Sequence, residues 1–161
     1  MKSVNKLQIM IGMAALSIGL MVYLYDRHPD SVLILQMIGI TTAFREASHL
    51  FGPINGQLPA FIHVFAFALL TTGLIGCRSR GALLVCLFWL VVNVLFELGQ
   101  GIENHFVRDH SGAFNSIFDS GVLGNYFRFG TFDPLDLVAM TFGAVAAFII
   151  LRTTMQRSVL S

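Results

Sequence analysis

The chain has 161 residues, of which 55% are hydrophobic and 12% are charged, and its formal net charge is +1. A water-soluble domain carries about 25% charged residues, so this chain has too little charge to cover a surface in water. The near-neutral net charge gives no indication of a nucleic-acid partner. The composition therefore predicts a single integral membrane domain over residues 1–161.

Four apolar segments approach the length of about 20 residues that a helix needs to cross a bilayer. They cover residues 7–25, 58–76, 82–98 and 135–151, and none of them contains a lysine or an arginine. The first is longer than the apolar core of a signal peptide, about 7–15 residues, and no cleavage pattern follows it. We therefore expect an all-helical bundle of four transmembrane helices.

Two connecting segments differ from ordinary polar loops. Residues 31–44 are apolar but too short to span, so we expect a short re-entrant or interfacial segment near residues 31–50. A long outer loop is predicted over residues 101–134, and it contains seven aromatic residues among polar residues and glycines. The rings indicate either a segment at headgroup level or a lid over a lipid-facing cleft.

The basic residues predict the orientation, because cytoplasmic segments of membrane proteins are enriched in lysine and arginine. With both termini in the cytoplasm, the inner segments contain six lysines and arginines. The outer segments and outer helix ends contain four arginines and all nine acids, a charge of −5, together with all five histidines. We expect a multi-pass membrane protein with both termini in the cytoplasm and its polar chemistry at the outer face.

One face of the third span is polar at its outer end. Asn93, Glu97 and Gln100 are spaced i, i+4 and i+7, which places them on the same side of a helix. A carboxylate in hydrocarbon is costly, so Glu97 should face protein or a water-filled cavity. Hydrogen bonding between helices is the alternative interpretation, and it is favoured for Asn93.

The start of the fourth span reads Asp133-Pro134-Leu135-Asp136. Proline is favoured in the first turn of a helix, so we expect Asp133 at the N-cap and Asp136 inside the first turn. Residues on three other segments are expected at the same depth. We predict one polar cluster made of His63, Asn93, Glu97, Gln100, Arg128, Asp133 and Asp136.

The chemistry of this cluster stays open at the level of sequence. Carboxylates and a histidine can perform acid–base catalysis or hold a metal. However, the chain contains no H-E-x-x-H, no G-x-S-x-G and no glycine-rich phosphate loop, so we predict neither a metal nor a cofactor. Ala139, Gly143 and Ala147 form a stripe of small residues, which is typical of close helix packing.

Residues 55–150 resemble the VanZ-like family and a related group of uncharacterised small membrane proteins. In order along the chain, the matching positions are His63 with Phe67, Glu97 with Gln100, Arg128, and Asp136 with Gly143. The chain departs from the family pattern at residues 58–60, where many members have an Asp-Lys pair. It departs again at Met140, where many have asparagine.

The resemblance implies a site of action at the outer face of the cytoplasmic membrane. The namesake of the family is linked to resistance against teicoplanin-type lipoglycopeptides, which act on cell-wall precursors there. We expect a binding module for an amphiphilic antibiotic or a lipid-linked cell-wall precursor, in contact with membrane lipids and other membrane proteins. Two alternatives remain, a small intramembrane hydrolase or transferase acting on a lipid-linked headgroup, and a structural subunit of a membrane complex.

Overall fold

The computed structural model describes residues 4–26, 51–77, 79–106 and 132–160, with side chains as far as residues 101 and 155 in the last two segments. The described residues form four α-helices and a short 3-10 turn. The helices are α1 (Lys6–Tyr25), α2 (Leu58–Ile75), α3 (Ser79–Phe106) and α4 (Pro134–Leu160). Each is long and apolar enough to cross a membrane, so the predicted four-span helical architecture is confirmed.

The two unusual connecting segments fall wholly or mainly outside the described residues. The re-entrant or interfacial segment expected near residues 31–50 is one of them. The loop predicted over residues 101–134 also lies mostly outside the described residues. Its first six residues belong to α3, which continues to Phe106. The apolar run ends near Leu98, yet no proline follows before Pro134 to end the helix there.

The helix termini follow local side-chain chemistry. Asn5 precedes α1, and its Oδ1 accepts a hydrogen bond from the Gln8 N–H at 3.3 Å. Gly76 ends α2 in the left-handed region with a φ of 65°, where glycine has no steric penalty. Asp133 precedes α4, and its Oδ1 accepts a hydrogen bond from the Leu135 N–H at 2.9 Å. The predicted N-cap at Asp133 is therefore confirmed.

Helix α2 lies at the centre of the bundle and packs against the other three helices. Helix α4 packs against both α2 and α3, whereas α1 packs chiefly against α2. The span of α2 is accordingly the most buried of the four. Its side chains contribute to both apolar clusters of the interior, which are formed by Ala68 and Leu69 with Ala147 and Leu151, and by Ala60 and Val64 with Met140 and Ala144.

The small residues of α4 allow close approach to α2. A Cβ placed on Gly143 would lie 2.5 Å from the Phe61 carbonyl oxygen of α2, so only glycine fits this contact. Ala147 is fully buried in one apolar cluster, and Ala139 packs against the other. The stripe predicted for helix packing, Ala139, Gly143 and Ala147, thus lies at contacts with α2 and in the apolar clusters of the interior.

The two ends of the bundle differ in charge. Gln8 Nε2 donates a hydrogen bond to Thr154 Oγ1 at 2.8 Å, which brings the start of α1 beside the last turns of α4. We call this the basic end, because it holds every lysine and arginine whose side chain the structure describes, Lys6, Arg80 and Arg152. The acidic end is the opposite one, and it holds every described acidic side chain, Asp26, Glu97, Asp133 and Asp136.

Candidate functional site

Glu97 connects α3 to the start of α4 at the acidic end. Its side chain is buried, with 5% exposure. Glu97 Oε1 accepts a hydrogen bond from the Asp133 N–H over 2.7 Å. The Asp133 N–H lies just before the helix and has no partner within it, so a side chain from elsewhere must satisfy it. A carboxylate makes this bond stronger than a neutral acceptor would.

Asp133 extends the connection to α2. While its Oδ1 caps α4, its Oδ2 accepts a hydrogen bond from Gln57 Nε2 at 3.0 Å. Gln57 occupies the N-cap position of α2. Side chains and backbone from three helices are therefore linked in the order Gln57, Asp133, Glu97.

Gln100 and Asp136 each lie one helical turn from a member of this group, Gln100 after Glu97 on α3 and Asp136 after Asp133 on α4. Gln100 follows Glu97 by one helical turn and is 6% exposed, and no described residue forms a hydrogen bond with its carboxamide. The next residue, Gly101, packs against the Phe132 ring, so this turn of α3 lies beside the start of α4. Asp136 lies in the first turn of α4, and its Oδ1 has no access to solvent. We call the whole set the acidic junction, formed by Gln57, Glu97, Gln100, Asp133 and Asp136.

His63 was predicted in the polar cluster, but its ring packs among aromatic side chains. It stacks on Tyr23 of α1 with 6.3 Å between ring centroids, and on Phe67 at 5.8 Å. Phe67 in turn stacks on Trp89 of α3 at 4.8 Å. Side chains three positions apart on an α-helix differ by about 300° in direction, which is about 60° from full overlap. Ala60 faces α3 and α4, so His63 points about 60° away from that direction.

Asn93 and Arg128 do not contribute a described contact to the acidic junction. Asn93 Nδ2 donates a hydrogen bond to the Trp89 carbonyl oxygen at 2.8 Å, within its own helix. The hydrogen bond expected between helices for Asn93 is therefore formed within α3 instead. Arg128 lies outside the described residues.

Sequence reasoning missed Gln57. It directly precedes the second span, and a polar side chain at that depth was the available signal. Its partner could not be read from the sequence, because the contact with Asp133 depends on how α2 and α4 pack.

The acidic junction is rich in hydrogen-bond acceptors, since ionised carboxylates accept hydrogen bonds and donate none. Across the part of the chain that the structure describes, no group of three histidine, cysteine, aspartate or glutamate side chains is arranged to hold a metal. The chain matches no model of a protein family, no curated protein and no solved structure.

Proposed function

We propose that this chain is a VanZ-like protein of the cytoplasmic membrane that binds the polar headgroup of an amphiphile at the outer face. The amphiphile is a lipoglycopeptide antibiotic of the teicoplanin type or a lipid-linked cell-wall precursor. The observation that supports this proposal most is the hydrogen-bonded chain from Gln57 through Asp133 to Glu97. It joins polar groups from α3 and from the starts of α2 and α4 at one end of the bundle, and Glu97 among them is buried.

The hydrogen bonds of the acidic junction favour binding over catalysis. Both carboxylate oxygens of Asp133 already accept hydrogen bonds, one from Gln57 and one from Leu135. Glu97 is fixed by the Asp133 N–H. A general acid or base must exchange its proton with a substrate, and Asp133 is poorly suited to that role because both of its oxygens are engaged. A fixed arrangement suits recognition of a headgroup, because little side-chain freedom is lost on binding.

The charge difference between the two ends supports the orientation of this proposal. The basic end would face the cytoplasm by the positive-inside rule, and both termini would lie there. The acidic junction would then face the outer leaflet, where wall precursors and lipoglycopeptides meet. Exposed apolar side chains flank the junction on α3 and α4, including Leu95, Leu98 and Leu135, and they would contact the acyl chains of the amphiphile.

Growth of a susceptible bacterium in teicoplanin tests the proposal. The strains compared carry empty vector, the wild type, Glu97→Ala, and Asp26→Asn as a control. Asp26 also lies at the acidic end, where its Oδ2 accepts a hydrogen bond from the Phe51 N–H, outside the acidic junction. We expect protection by the wild type and by Asp26→Asn, and loss of protection in Glu97→Ala, with equal membrane insertion on immunoblots. Full protection by Glu97→Ala would refute the placement of the site, and no protection by well-inserted wild type would refute the resistance role.

A further inference from the structure

A contact between Arg152 and Ser79 joins α4 to the start of α3 at the basic end. Arg152 Nη1 donates a hydrogen bond to Ser79 Oγ at 3.0 Å, and Arg152 Cζ lies 5.8 Å from the centre of the Phe148 ring. The side chain of Arg152 is exposed. A guanidinium group has five N–H donors, so the hydrogen bond to Ser79 leaves most of them free for a ligand while it holds the group in place.

No described carboxylate balances the charge of Arg152. Lys6 and Arg80 are exposed at the same end, whereas every described acidic side chain lies at the opposite end, across a hydrocarbon layer of about 30 Å. Residues 1–25, 47–96 and 137–161 contain no aspartate or glutamate. The positive potential at the basic end therefore favours an anion that comes from outside the chain.

Exposed apolar side chains continue from this contact towards the middle of the bilayer. Leu83 lies one helical turn after Ser79 on α3, and Ile149 and Val145 lie about one and two turns before Arg152 on α4. These three side chains are 44%, 55% and 52% exposed and belong to the membrane-spanning parts of their helices. A partner that contacts Arg152 therefore lies beside a surface that faces hydrocarbon. We call this surface, together with Ser79 and Arg152, the α3–α4 seam.

We infer that the α3–α4 seam binds an anionic phospholipid, with Arg152 donating hydrogen bonds to the phosphate and the acyl chains lying along the apolar side chains. A guanidinium group suits this role because its planar N–H donors match phosphate oxygens in pairs. A headgroup with a net negative charge is favoured over a zwitterionic one, because the cations at this end would repel an ammonium group. The seam lies at the end opposite to the acidic junction, so the inference stands independently of the proposed function.

Competition between two phospholipids tests the inference. Full-length protein is equilibrated in detergent micelles with equimolar phosphatidylglycerol and phosphatidylcholine of the same acyl chains, and native mass spectrometry measures the ratio of the two protein–lipid complexes. The test variants are Arg152→Gln, which removes the charge, and Ser79→Ala, which removes the hydrogen bond that holds the guanidinium group. Folding of each variant is checked by size-exclusion chromatography.

Lys6→Gln is the matched control, because it removes one positive charge at the same end outside the seam. The start of α1 reaches the interior face of α4, where Gln8 contacts the buried Thr154. Arg152 precedes Thr154 by two residues and so points about 200° away around α4. Lys6 and the seam therefore lie on different sides of this helix.

We expect the wild type to prefer phosphatidylglycerol by at least about fivefold. Arg152→Gln should reduce this preference by about fivefold, Ser79→Ala by about threefold and Lys6→Gln by less than about twofold. Equal preference in the wild type and Arg152→Gln would overturn the inference, and if Arg152→Gln does not fold, an unchanged preference in Ser79→Ala would do so. An equal loss in Lys6→Gln and Arg152→Gln would overturn the seam as the site. Displacement of phosphatidylglycerol by an equal concentration of glycerol 3-phosphate would overturn the membrane source of the phosphate.

Discussion

Replacement of Gly143 by valine should destabilise the bundle at the contact between α4 and α2. The Cβ alone would lie 2.5 Å from the Phe61 carbonyl oxygen, so the helices must separate by about 0.9 Å before ordinary contact at 3.4 Å is reached. Overpacking of this kind costs about 1–3 kcal/mol, and the better helix propensity of valine returns about 0.5 kcal/mol or less. We expect a net loss of about 2 kcal/mol in the free energy of unfolding.

Equilibrium unfolding in mixed micelles of dodecyl maltoside and sodium dodecyl sulfate, followed by far-ultraviolet circular dichroism, measures this loss. Thr141→Val is the matched control, because Thr141 is exposed on the same helix and its hydroxyl donates a hydrogen bond to the Leu137 carbonyl of that helix. The control should change the free energy of unfolding by less than about 0.5 kcal/mol. If Gly143→Val unfolds at the same detergent fraction as Thr141→Val, the close approach of α4 to α2 is wrong.

Three further predictions concern other contacts, and the same unfolding assay checks the first two. Glu97→Ala should cost about 1–3 kcal/mol by leaving the Asp133 N–H unsatisfied, whereas Glu97→Gln should cost less than about 1 kcal/mol; equal losses would contradict the hydrogen bond. A double-mutant cycle of Gln8→Leu and Thr154→Val should give a coupling energy of about 0.6 kcal/mol, and additive effects would exclude the bond between them. In a variant with the single cysteine Cys77, a membrane-impermeant maleimide should label inverted vesicles and not intact cells, and the reverse pattern would invert the proposed orientation.

The sequence was sufficient for the spans and for the local chemistry of their ends. Length and hydropathy determine whether a helix can cross a bilayer, and the pattern Asp133-Pro134 determines where α4 begins. The meeting of Glu97 with the start of α4 was also predictable, because both lie at the same depth on helices of opposite direction.

Rotation of each helix about its axis was not predictable in the same way. His63 lies at the expected end of α2, but Tyr23 and Phe67 surround it because that face turns towards α1 and α3. Gln57 contacts Asp133 because the start of α2 is turned towards the start of α4. All faces of these helices are apolar over most of their length, so hydropathy gives no direction for the interior, and only side-chain packing determines it.

The hydrogen bond between Glu97 and the Asp133 N–H should affect the order in which the helices assemble during synthesis. The chain emerges N-terminus first, so α3 is available to the bilayer before residue 133 has been made. During that interval the carboxylate of Glu97 lacks the N–H donor that it contacts in the finished bundle. Transfer of such a carboxylate into the hydrocarbon region costs free energy. Release of α3 into lipid is thus favoured once α4 has arrived. Helices α1 and α2 pack on each other without this requirement, so the insertion machinery would handle the chain as two successive helix pairs.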